Sequence, residues 1–247
     1  MTHKALARTA FATGIIALAV ISLVFGDFAD IWHSLSASAH VRDAMAYASA
    51  GLMLACGIGL LSNRTEARAA SVLAPFFALL VLVIKLPPVL EGPLVEGNWQ
   101  SMSEIVVLLT GAWVLSASRT REMRVAQLVF GLALIPLGLS HFVYVNLTAP
   151  LVPAWLPYHT GWAYFTGAAH LAAALGVILG ILPQLAAAME AAMLSVFTVL
   201  VWIPLIYAAP TSRGSWSEFT LSWAISGAAW VVAASFGERN LGTSDVR

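Results

Sequence analysis

The chain has 247 residues, 60% of them hydrophobic and only 10% charged, where a soluble domain carries roughly a quarter charged residues. Twelve Lys and Arg balance twelve Asp and Glu, so a net charge of zero offers no electrostatic footing for nucleic acid. This excludes an ordinary soluble domain and marks an integral membrane protein, whose long continuous apolar runs favour helices over barrel strands.

The first apolar run, 10–28, follows Lys4 and Arg8 and ends beside Asp27. It has the look of a secretory signal, but the cleavage-like Ala37-Ser38-Ala39 lies far beyond Phe25, so a retained span is expected. The second run, 43–61, holds the lone cysteine, Cys56, which leaves no internal disulfide or dithiol pair. The third, 70–90, has Lys85 just before Pro87 and Pro88, and these prolines should kink or end it. The fourth, 102–117, is short and carries Glu104 just inside its start. After the basic stretch SRTREMR (118–124), the fifth run, 125–145, carries His141. A connection rich in Pro, Trp and Tyr leads to the sixth, 162–182, which carries His170. The seventh, 185–207, contains Pro204, and the eighth, 219–236, is again short. The expected fold is all-α and polytopic, with about eight transmembrane helices.

Positive charge orients these spans. Lys4, Arg8, Arg64, Arg68, Arg119, Arg121, Arg124, Arg239 and Arg247 fall at the termini or in alternate connections, against Arg42, Lys85 and Arg213 on the other side. By the positive-inside rule both termini are cytoplasmic, and the inner cell membrane is the expected location.

A shift of 117 residues lays one half over the other. Tyr47 meets Tyr164, Gly59 meets Gly176, Pro87 meets Pro204 and Pro93 meets Pro210, and Trp99 and Trp113 meet Trp216 and Trp230. The first helix joins at a shift of 114, pairing LAVISLVFGDF (18–28) with LALIPLGLSHF (132–142). Four spans return the chain to its starting side, so the halves, 1–118 and 119–247, are expected to be parallel four-helix repeats, the first a degenerate copy.

Depth separates the polar residues. His141 should lie ~6 Å inside the outer end of its helix and His170 ~12 Å inside the next, at 1.5 Å per residue. Ionisable groups within a span are costly and usually face the bundle interior, so these two lead the candidates for a site that opens outward. Asp27, the repeat counterpart of His141, can complete a proton-transferring pair if the copies face each other, since imidazole titrates near neutral pH; equally, it can cap its helix. Trp32, Trp99, Trp155, Tyr158, Trp162 and Trp216 lie near the outer interface, where amphipathic rings settle. Trp155 and Trp162 border the histidine region and, with Tyr144, Tyr164 and Glu104, are the candidate ligand contacts. Two imidazoles can supply two ligands to a metal or haem, but no H-E-x-x-H or paired C-x-x-C supports one, and the metal is left unknown. Gly167 and the alanines around it offer a small-residue surface for close helix packing.

GLSHF (138–142), VPAWLP (152–157) and WAYFTGAAHLAAALGVIL (162–179) together resemble the DoxX-like family of small four-helix membrane proteins. The family pattern has His-Phe near the end of the first helix, a VPPWLP-type outer loop and a YLTGxxE start to the second helix. The resemblance is specific over roughly 132–180 and extends to 235 by helix pattern. It departs in that His170 stands where the family has an acid, while the first copy has Asp27 for the histidine and Met53 for the acid. One working site supported by a structural copy is therefore expected. Because some relatives resemble quinone-linked or thiol-redox membrane complexes, the resemblance implies a quinone or similar lipophilic molecule, and a redox partner subunit to supply electrons. A small-solute transporter and a non-catalytic scaffold or accessory subunit remain alternatives.

Overall fold

The computed structural model describes residues 2–242, with side chains as far as Gly237. Arg247 and the side chain of Arg239, both used above to orient the spans, lie outside the described residues. The first helix, α1 (His3–Phe25), begins where the Thr2 hydroxyl accepts from the amide of Ala5. It ends where Gly26, at a φ of 74°, donates its N–H to the carbonyl of Ser22, a left-handed cap suited to glycine. Ser38 caps α2 (Ala39–Leu60) in the same way as Thr2 caps α1. The chain continues through α3 (Glu66–Glu91) and α4 (Glu96–Ser116) to α5 (Thr120–Val143). Two short helical turns, Val145–Thr148 and Ala149–Leu151, precede α6 (His159–Leu179). Then come α7 (Pro183–Ala208), with proline in its first turn, and α8 (Arg213–Gly242). No strand occurs among the described residues.

Seven of these helices are long and apolar enough to cross a membrane, which makes this a multi-pass membrane protein. The remaining one, α4, has 21 residues, but Glu96, Asn98, Gln100, Ser101, Ser103 and Glu104 make its first half polar. Each observed helix overlaps an expected span; α1 and α4 begin several residues before theirs, and α8 runs past its expected limits at both ends.

Pro87 and Pro88 of α3 and Pro204 of α7 do not end their helices. A wide π turn precedes them in each helix, Val81–Lys85 in α3 and Thr198–Trp202 in α7, after which the helix resumes. A proline ring has no N–H and pushes against the carbonyl four residues back, and the wide turn takes up both effects. The two π turns stand 117 residues apart, as do two indole bonds, Trp99 Nε1–H to the carbonyl of Pro93 (2.9 Å) and Trp216 Nε1–H to that of Pro210 (2.8 Å).

Within each half, successive helices are neighbours. Between halves, α1 packs on α8, α5 packs on α4, and α4 and α8 meet at the centre. In lipid, helices gain little from burying apolar surface against each other, so close backbone approach at small residues carries the packing. A Cβ on Gly227 would lie 2.5 Å from the Cα of Phe11, and one on Gly111 2.7 Å from the Cβ of Ala228. Gln127 of α5 donates to Ser235 of α8 (2.8 Å) inside this core. Arg8 is bonded to Asn63 and Glu66, and Leu6 borders a hollow with Gln184, so these ends share one face. Arg213 with Asp30, and Tyr144 with Gly97, lie on the opposite face.

Candidate functional site

The glycines of GLSHF and YFTG bring α5 and α6 into contact. A Cβ on Gly138 would meet the Gly167 carbonyl oxygen at 2.9 Å, and one on Gly167 would meet the Cβ of His141 at 2.8 Å. With no side chains between them, the backbones close up and the rings of His141 and His170 come to 5.3 Å between centroids. This happens although His141 is two residues from the end of α5 and His170 eleven from the start of α6. The first turns of α6 therefore overshoot α5 on this face.

His170 is 3% exposed, and its Nδ1 lies 2.7 Å from Oε1 of Glu190 on α7, which is 1% exposed. Burying such groups is costly unless they are paired, and here each is the other's partner. The second carboxylate oxygen, Oε2, is buried without a hydrogen-bond partner. His141 is held by Thr166, whose hydroxyl lies 3.0 Å from Nδ1 while also donating to the carbonyl of Ala163 (2.9 Å). Phe197 completes the cluster, its ring 6.4 Å from both imidazoles.

Beside this cluster lies a cavity of about 1230 Å³, bordered by Ser140, His141, Thr166, Glu190 and Phe197. Its remaining walls are mostly apolar side chains of α6 and α7, among them Ala169, Ala173, Leu179, Met189 and Met193. Several of the lining side chains, such as Phe165, Leu175, Leu179 and Met189, are themselves exposed. Ser195 with Ser226 (2.7 Å) and Thr198 with Ser222 (2.9 Å) fasten α7 to α8 along the back of the cavity. Apolar walls with a few convergent polar groups are the usual make-up of a small-molecule site.

Of the residues singled out from the sequence, His141 and His170 meet. Trp155 and Trp162 border the cavity. Tyr144 and Tyr164 do not: the Tyr144 hydroxyl accepts from the N–H of Gly97 (3.0 Å), and Tyr164 stacks on Phe142 (5.6 Å). Glu104 does not itself border the cavity but is bonded to Gln100, which does, with Lys85 and Glu218 as its charged neighbours. Lys85 itself donates to Ser101 (2.7 Å).

Asp27 makes its bonds elsewhere than to either histidine. Its carboxylate accepts the backbone N–H groups of Phe28 (2.7 Å), Trp32 (3.1 Å) and His33 (2.9 Å) and contacts the His33 imidazole. Ala29 and Asp30, both at positive φ, form the turn this carboxylate holds together. Among the described residues, Asp27, Asp30 and His33 alone converge as three potential metal ligands. The cationic place among them is filled by the Arg213 guanidinium, 2.7 Å from Asp30 and 3.6 Å from Asp27.

Glu190 was missed in the sequence although its signal is plain. It is the only charged residue between Pro183 and Ala208, and an ionisable group alone in a span is a functional candidate by default. Thr166 and Phe197 carry no comparable signal, because each is an ordinary helix residue until its neighbours are known.

Residues 130–233 match a protein-family model described as a domain of unknown function, DUF8561. That stretch contains the whole cluster: His141, Thr166, His170, Glu190 and Phe197. No curated protein and no solved structure matches the chain.

Proposed function

We propose that this is a DoxX-like membrane protein that binds a quinone or related lipophilic molecule in the cavity beside His141, His170 and Glu190. In this reading it is a component of a membrane redox system, and a partner subunit supplies the electrons. The observation that carries the proposal is a large apolar cavity bordered by His141 and Glu190, with the Glu190 carboxylate paired to the buried imidazole of His170. A buried ionisable pair is a costly thing to maintain within a span, and beside a ligand cavity it can take up or release the proton that accompanies electron transfer.

The architecture fits two parallel four-helix repeats and eight crossings. In support, the π turns and the indole–carbonyl bonds recur 117 residues apart, and the order of helix neighbours maps onto itself when the halves are exchanged. One working site also fits. At the same spacing, His170 and Glu190 correspond to Met53 and Leu73, both fully buried apolar side chains. Lys4, Arg8, Arg64, Arg68 and Arg119 gather toward the face of the N-terminus, which supports cytoplasmic termini in an inner membrane, with the cluster nearer the outer side.

Organic extraction of the gently purified protein, followed by mass spectrometry, tests the ligand. Wild type should release a lipophilic molecule at close to one per chain, and His141→Ala and His170→Ala much less. Equal amounts from all three would count against the assignment.

A further inference from the structure

The length of the cavity specifies the shape of the lipophile, an inference that rests on the ligand-binding reading above. Along α6 the cavity is bordered from Trp162 through Thr166, Ala169 and Ala172 to Leu179, and along α7 from Leu185 through Met189 and Val196 to Val201. At 1.5 Å per residue each stretch is about 25 Å long, most of the ~30 Å hydrocarbon core of a bilayer. The space is therefore a channel along two helices, and at about 1230 Å³ it exceeds the roughly 300–1,000 Å³ of ordinary small-molecule pockets. Spread over that length, the volume gives a mean section of about 50 Å². A helix with its side chains is about 10–12 Å across and needs roughly twice that section. A chain molecule fits the channel, and a partner's transmembrane helix does not.

The polar side chains along the channel are confined to one end. Gln100, Ser140, His141, Thr148, Thr166 and Ser222 border it at the level of Glu190 or nearer the outer face. Beyond Glu190, toward the connection of α6 to α7 on the face of the N-terminus, the bordering side chains are apolar, among them Leu175, Leu179, Leu182 and Leu185. From Thr166 to Leu179 the distance along α6 is about 20 Å, longer than the ~15 Å of hydrocarbon in a single leaflet.

We propose that the cavity holds a long-tailed lipophile with its head outward, at the end bordered by His141, Thr166 and Glu190, and its tail running inward along α6 and α7 across the bilayer midplane. An extended chain advances roughly 1.2 Å per bond, so about sixteen carbons cover the distance. A shorter tail leaves the inner part of the channel unfilled, and its walls then lose the dispersion contacts that a full-length tail supplies.

Binding of tritiated probes to purified wild-type protein in nanodiscs, measured over empty nanodiscs, tests this. The probes carry a decyl or a hexadecyl tail on either of two heads, a benzoquinone and a primary alcohol. On the head that binds, the hexadecyl probe should bind roughly tenfold or more tightly than the decyl probe at equal mole fraction in the lipid, through the added dispersion contacts. Leu175→Trp, which places an indole in the inner part of the channel, should abolish that difference and leave the affinity of the decyl probe as in wild type. Equal affinity of wild type for the two tails would overturn the long tail and leave ligand binding at the head standing, and so would a tail preference that Leu175→Trp does not change. Binding of the alcohols alone, with the tail preference intact, would overturn the quinone and leave the channel standing. No binding of any probe above empty nanodiscs would overturn both.

Discussion

The pair formed by His170 and Glu190 makes a residue-level statement about stability. Removing one member strands the other in an apolar interior, which costs about 3–5 kcal/mol when a buried pair is broken. His170→Leu alone should therefore destabilise by about that amount, and Glu190→Leu likewise. The double variant should lose less than the sum and can be less harmful than either single change. A double-mutant cycle by unfolding in mixed detergent measures this, and simple additivity would show that the two side chains do not depend on each other. His141 and His170 were legible in the sequence because an imidazole inside an apolar run stands out. Their distance was not, since it depends on how far α6 overshoots α5, a property of neither helix alone. For Asp27 the sequence left proton transfer and capping side by side, and could not choose, because its partners are backbone amides of a turn that exists only once folded.

At the scale of elements, the contact between α5 and α6 rests on the absence of side chains. A methyl group on Gly167 would lie 2.7 Å from the ring of Phe142 and 2.9 Å from the Gly138 carbonyl, so the helices must part. Gly167→Ala is expected to destabilise by about 1–3 kcal/mol through overpacking and to weaken ligand binding by separating the histidines. Gly51→Ala, where nothing lies within 4 Å of the added carbon, should be neutral or slightly stabilising. Thermal unfolding of both variants checks this, and equal behaviour would argue against the close approach. The helices themselves were readable as spans from apolar length alone. The π turns were not: proline signals a disturbance, but whether the helix stops or widens depends on the packing that holds it beyond the proline.

For the whole molecule, the neighbour order is the part the sequence hid most completely. Helices with apolar residues on all sides do not reveal which face meets protein and which meets lipid, so the placing of α1 on α8 and of α5 on α4 emerges only from matched small residues such as Gly14 with Ala224. The sidedness is testable directly. In a Cys56→Ala background, Leu94→Cys, at a position 98% exposed, should react with an impermeant thiol reagent added outside intact cells, and Arg64→Cys should react only after lysis. The reverse pattern would invert the orientation.

The central claim is that the cavity beside Glu190, His170 and His141 is occupied by a lipophilic molecule, and filling it is the most direct test. Ala169 borders the cavity one residue from His170, and Ala169→Phe puts a ring into that space while leaving the residues of the polar cluster unchanged. Native mass spectrometry of wild type should show one bound lipophile per chain, absent from Ala169→Phe. The same adduct on both proteins, or none on wild type, would contradict the account.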